Sequence, residues 1–260
     1  MLGWSINLFR IRGIQLAVHA SFFLLLAYVG WDGWTDAQLA GLSWSLVTIT
    51  AFFACVVLHE LGHSFVAMHY GVGVRRILLM PIGGMAEMDN IPRQPARELL
   101  ITLAGPAVNF VLAAGLWLVV RTYAEDVRLY SFDGLIYQLF IANLVMGCFN
   151  LVPVFPMDGG RIFRALLATR LPYLRATFWA ASVGKVLSVV GILVMLFWFK
   201  PPHYLGGLLF LFIYMAGDTE YKAVRRQELD AAHWRTVFAR LHPVPSTEPP
   251  LLKRPGQTDP

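Results

Sequence analysis

Apolar residues gather along this chain in long blocks, not in the alternating or three-and-four spacings of elements that keep one face in water. Six blocks can be marked, from about Ile14 to Gly30, Trp44 to Tyr70, Glu98 to Val120, Leu135 to Val152, Thr177 to Phe199 and, shortest, Tyr204 to Gly217. The first five hold ~17 or more residues each with few charges, enough to cross a hydrocarbon core ~30 Å thick with modest tilt. The expectation is an all-α polytopic membrane protein of about six transmembrane helices, forming one domain over 1–218. Arg10 and Arg12 precede the first block as they would in a secretory signal. Ala27-Tyr28-Val29-Gly30 offers no small-x-small cleavage site, so that block is expected to persist as a helix.

Between the second and third blocks, Gly71 to Met88 is rich in β-formers and glycine. It predicts a small β hairpin or sheet between helices 2 and 3, folding back toward the membrane domain. Such backbone is tolerated at depth only where protein or a water-filled cavity satisfies it. Residues 219–242 are charged and predict an interfacial helix. Six prolines within 243–260 argue for a disordered tail.

Composition supports the membrane reading. The chain is 57% hydrophobic and 14% charged, where soluble domains carry about 25% charged residues, and its mean hydropathy is +0.58. Basic residues near span ends stay in the cytoplasm. A cytoplasmic N-terminus leaves only Arg121, Arg128 and Lys200 outside, so 18 of the 21 basic residues fall on the inner side, Lys185 counted among them. Both termini are therefore expected in the cytoplasm. The net charge of +5 then reflects an inner collar, and no basic, aromatic-interleaved patch suggests a nucleic-acid partner. Lys185, inside the fifth block, is expected to snorkel. Cys55 and Cys148 both lie in apolar runs and give no disulfide framework.

The second block contains His59-Glu60-Leu61-Gly62-His63. Ionisable groups in a membrane-length helix are costly and point to a function by default. Four positions separate the histidines, so both rings leave one helical face and can share a metal, while Glu60 flanks that face as a proton acceptor. The plainer alternative is a pair of packed helix histidines. A catalytic zinc site wants three protein ligands and one open position. The best third candidate is Asp158, in Asn150-Leu-Val-Pro-Val-Phe-Pro-Met-Asp158-Gly159-Gly160-Arg161, where prolines stop the fourth helix and glycines free the chain beyond the acid. An N-cap for the following helix would use the same residue type. Cys55 and His19 are other possible ligands, although a packed thiol and a hydrogen-bonded imidazole account for them; His69 falls on another face.

These residues, with Pro81-Ile-Gly-Gly-Met85 and Ala104-Gly-Pro-Ala-Val-Asn109 between them, resemble the site-2 protease family of intramembrane zinc metalloproteases, over roughly Ile11 to Arg175. The resemblance implies one Zn2+ per chain held by His59, His63 and Asp158, with Glu60 as general base and Asn150 beside the catalytic centre. It implies hydrolysis within or beside the spans of single-span membrane proteins, such as anti-sigma factors or membrane-bound regulator precursors, in a cell membrane. Family members often carry a PDZ domain between helices or CBS domains after them; the loops here are too short for the first, and the expectation is a compact member.

In that reading zinc acidifies water, and Glu60 takes the proton and returns it to the leaving amine. His59 lies about eleven residues from the inner end of its helix, ~16 Å at 1.5 Å per residue, so the site is expected nearer the cytoplasmic side. A strand edge near the metal would hold a substrate extended, and Gly83 and Gly84 either admit its backbone or only make the turn. The alternative from another class is a transporter or metal-handling protein whose cation occupies the same residues.

Overall fold

The computed structural model describes residues 4–89, 92–123, 130–201 and 203–241; the proline-rich tail expected at 243–260 lies outside the described residues. Ser5–Ile11 (β1) and Ile14–His19 (β2) form an antiparallel hairpin. Its turn residues, Arg12 and Gly13, both have positive φ (47° and 90°), the backbone that lets a two-residue turn match the twist of its strands. This corrects the expectation of a helix beginning at Ile14. Ile14, Leu16, Ala17 and Val18 are all buried, and a strand covered on both faces gives the same unbroken apolar string as a buried helix.

The first helix begins instead at Ser21. α1 (Ser21–His69) is interrupted at Ala37 (φ −141°) and Gln38 (φ 54°, ψ −134°), where the chain doubles back. Its two arms meet at Gly33 and Gly41, so closely that a Cβ on Gly41 would lie 1.9 Å from the Gly33 carbonyl oxygen. Residues between the first two apolar blocks are thus wound into both arms.

β3 (Val74–Met80) pairs in parallel with β2, and β4 (Gly83–Met88) pairs antiparallel with β3, giving the order β1-β2-β3-β4. The sheet expected between helices 2 and 3 is therefore twice that size, with half supplied by the N-terminus. Parallel strands need a long crossover connection, and here the whole of α1 serves, leaving the sheet and returning to it. Across β3 and β4, Arg76 donates to Glu87 at 2.7 Å, and that hydrogen bond holds the Glu87 carboxyl below its usual range.

The remaining elements are α2 (Pro95–Tyr123), α3 (Phe132–Asn150), α4 (Asp158–Ala168), α5 (Tyr173–Leu193), which runs on as a π-helical turn at Val194–Trp198, and α6 (Tyr204–Leu241). Four helices, Ser21–His69, Pro95–Thr122, Phe132–Asn150 and Tyr173–Trp198, are long and apolar enough to cross a membrane. Only 22% to 33% of their most apolar stretches is buried, so most of that apolar surface is left for lipid. The molecule is a multi-pass membrane protein with a small four-stranded sheet. α6 runs without a break from apolar Tyr204 into its charged half. Lys185 of α5 does not snorkel but pairs with Asp218 of α6, which also accepts from Lys222 at 2.6 Å; an ammonium at that depth is better served by a carboxylate than by distant water.

The sheet packs on the second arm of α1. Ile14, Leu16, Val18, Ile77 and Leu79 form one core with Phe22, Phe53, Val56, Val57 and Leu61, and Phe22 meets Phe53 edge-on at 4.6 Å. That arm carries the histidine motif, so the sheet fixes the face from which the motif looks out.

Candidate metal centre

His59 and His63 lie one turn apart on the second arm of α1, 3% and 7% exposed. The rings can approach α2 because that helix presents Gly105 to them: a Cβ there would lie 2.2 Å from His63 Nε2 and 2.8 Å from His59 Cε1. Gly62 faces the same crossing, where its Cβ would meet the Ala104 carbonyl oxygen at 2.8 Å. Two glycines on facing helices thus let the backbones close over the imidazoles.

α2 also orients both rings. His63 Nδ1 lies 2.8 Å from the Ile101 carbonyl oxygen, which can only accept, so the ring's proton sits on Nδ1. His59 Nδ1 lies 2.9 Å from Asn109 Oδ1, which fixes the same tautomer. In neutral rings this leaves both Nε2 atoms as lone pairs.

Asp158 arrives from another direction. The chain leaves α3 through the turns of residues 151–157 and enters α4 with Asp158 as its first helical residue; the N-cap is Met157, not the aspartate. The two glycines after Asp158 are required by contact: a Cβ on Gly159 would lie 2.1 Å from the Val152 carbonyl oxygen, and one on Gly160 2.7 Å from the Phe155 nitrogen. The loop is folded onto its own helix, and the acid is turned toward α1. Asp158 Oδ2 lies 3.3 Å from His59 Nε2 and 3.2 Å from His63 Nε2, and the two Nε2 atoms are 3.1 Å apart.

Three lone-pair atoms in so small a triangle repel one another unless a cation or shared proton lies between them. A tetrahedral metal bonded at about 2.0–2.1 Å sets its ligands ~3.3–3.4 Å apart, which is the size of this triangle. Two neutral imidazoles and a carboxylate also suit zinc chemically. Among the described residues these three form the group able to hold a metal. Cys55 instead packs with Leu135 and Leu139, and His19 bonds the Ser21 hydroxyl at 2.7 Å.

Glu60 lies beneath β4: a Cβ on Gly84 would come within 2.7 Å of its Cγ, and Val56 lies on the same side. Gly83, at φ 143°, closes the β3 to β4 turn. Asn150 is the last residue of α3, directly before the carbonyls that pack on Gly159. Among the described residues β4 pairs as a strand with β3 alone, and on the side of Glu60 the backbone of Ala86 hydrogen-bonds the Glu60 carboxylate. Sequence reasoning missed the work of Gly105 and Asn109. The signal for Asn109 was available, since a buried carboxamide in an apolar span demands a partner.

A model of peptidase family M50 matches residues 47–129 and 121–191. A zinc metalloprotease of Methanocaldococcus jannaschii is 40% identical over 224 residues, 86% of this chain and 62% of its own length. Stage IV sporulation protein FB of Bacillus subtilis is 26% identical over 144 residues, 55% of this chain and 48% of its own. The chain thus spans less than two thirds of the length of either relative. Among solved structures, a site-2 protease from Methanocaldococcus jannaschii matches with a TM-score of 0.62 and 39% identity, covering 84% of this chain and 95% of that one. A family match reaching from the histidine arm of α1 into α5, and a relative of this identity across most of the sequence, place the chain in peptidase family M50, the site-2 proteases, a family of membrane zinc metalloproteases.

Proposed function

We propose that the chain is an intramembrane zinc endopeptidase that cuts single-span membrane proteins within or beside their spans, with His59, His63 and Asp158 holding one zinc ion. The observation that carries this is the triangle of three lone-pair atoms, 3.1 to 3.3 Å on a side, inside a lipid-facing bundle. Bound zinc supplies Lewis acidity, acidifying water and polarising a carbonyl. Glu60, one residue from His59, receives the proton of the attacking water and delivers it to the leaving amine. Asn150 orients the scissile carbonyl. The outer edge of β4 pairs with the substrate and keeps it extended, because a helical peptide bond is shielded by its own turn; Gly84, already against Glu60, and Gly83 keep that approach clear of side chains.

The two arms of α1 serve as separate spans, which with α2, α3, α5 and the apolar half of α6 gives six. Both termini lie in the cytoplasm, as the distribution of basic residues favours. His59 precedes the end of α1 by ten positions, about 15 Å, so the centre sits nearer that side. Anti-sigma factors and membrane-bound regulator precursors are the substrate class.

Glu60→Gln tests the reading. Purified in detergent, the variant should keep zinc and lose proteolysis by about 10²- to 10⁴-fold, the ordinary worth of a general base. In cells, full-length single-span proteins should accumulate with the variant and not with the wild type. Equal cleavage by both forms would reject the proposal, as would a wild-type chain that binds no zinc.

A further inference from the structure

Arg164 lies six residues beyond Asp158 on α4 and is 4% exposed. Its Nε and Nη2 both donate to Glu98 Oε1, at 2.8 and 2.6 Å, and Nη1 donates to Glu220 Oε1 at 2.6 Å. The guanidinium also lies over the rings of Phe155 and Tyr173, 5.3 and 5.1 Å from their centroids. One side chain therefore joins α4 to α2, α5, α6 and the loop that delivers Asp158. A buried charge cluster of this kind is a poor way to gain stability, since apolar residues of similar volume would serve as well. No step of the proposed chemistry uses it.

Its partners suggest its task. Glu98, 1% exposed, stands on α2 one turn before Ile101, whose carbonyl fixes His63, and the same helix carries Gly105 and Asn109. The pair thus connects the helix bearing the third donor to the helix that orients the first two. α4 is short, eleven residues, and its N-cap Met157 supplies no side-chain bond, so the start of the helix depends on contacts made elsewhere. A guanidinium held by two nitrogens on one carboxylate, by a third on another, and between two rings resists both rotation and sliding; an ammonium would not.

We propose that Arg164 is a positioning residue of the metal centre: anchored on Glu98, it sets the register of α4 on α2 and so holds Asp158 Oδ2 where a metal can share it with His59 and His63. The inference rests on the zinc reading above.

The test uses the full chain in detergent as wild type, Arg164→Lys, Glu98→Gln and the double variant Arg164→Met/Glu98→Gln, which removes the fully buried pair and leaves the half-buried Glu220. Zinc affinity is read by competition with a chromophoric chelator, site geometry by cobalt(II) absorption, and folding by the thermal midpoint of the metal-free form. Arg164→Lys should weaken zinc binding by at least ~10-fold, as loss of an outer orienting group typically does, and alter the cobalt spectrum. The double variant should regain the metal-free midpoint without regaining zinc affinity, an outcome that a merely structural pair would not give. If Arg164→Lys fails to fold, Glu98→Gln, which keeps an acceptor, carries the same expectation. Folded variants that bind zinc and cobalt as the wild type does would overturn the inference alone. A wild type without zinc would instead bring down the metal reading beneath it.

Discussion

Gly105→Ala is the most informative single change, because it adds one methyl group at the position the metal centre needs. The new Cβ would lie 2.2 Å from His63 Nε2, 2.4 Å from its Cε1 and 2.8 Å from His59 Cε1, where ordinary contact begins at 3.4 Å. Something must move by about 1.2 Å, six times the ~0.2 Å tolerance of a metal bond. Rotating the His63 ring breaks its bond to Ile101, and sliding α2 away carries Ile101 and Asn109 with it. Fold stability should change less than metal affinity. Overpacking costs about 1–3 kcal/mol, while alanine regains about 1 kcal/mol over glycine inside a helix. The expected result is a metal-free form destabilised by roughly 0–2 kcal/mol and zinc affinity lower by at least ~100-fold, about 2.8 kcal/mol. Chelator competition on detergent-purified protein, with thermal unfolding of the metal-free form, separates the two. A variant that binds zinc and cleaves like the wild type would refute the packing argument outright.

Other consequences follow from neighbouring contacts. Asn109→Leu removes the acceptor of His59 Nδ1 and should lower zinc affinity by ~10- to 100-fold; unchanged binding would mean that something else holds the ring. Gly84→Val pushes a side chain into Glu60 Cγ and should cut turnover by about 10²-fold or more with zinc retained, so loss of zinc instead would show the strand to be structural. Lys185→Met should lower the thermal midpoint only modestly, because the pair is partly exposed and Lys222 still serves Asp218. Adding Asp218→Asn should restore most of that loss in thermal unfolding, and no recovery would argue against a pairwise interaction.

Much of this architecture was legible in the residues because lipid enforces simple rules. Blocks of apolar residues marked α2, α3 and α5 to within a few positions, and the His59, His63 and Asp158 triangle followed from spacing and family resemblance. The N-terminal hairpin was not legible, since Ile14 to Val18 reads as the start of a span and its partner β3 lies far along the chain. A break between Gly30 and Trp44 was legible as the gap between the first two blocks, but not its tightness at Ala37 and Gln38, a pair that contains neither proline nor glycine and depends on Gly33 and Gly41 meeting across it. Long-range partners were equally hidden. Nothing near Lys185 announces Asp218, and nothing in the Asp158 motif points back to Glu98.

The parallel pairing of β2 with β3 also governs how the protein can be made. Val74 follows His19 by 55 positions, and ribosomes add ~5–20 residues per second, so the amino-terminal hairpin waits roughly 3–11 s before its neighbour is synthesised. Through that interval one rim of β2 is bare, the sort of surface that recruits wrong partners. Insertion of the entire α1 loop, catalytic motif included, must therefore precede completion of the sheet, and nascent chains stalled before Val74 should be the ones most readily captured by chaperones.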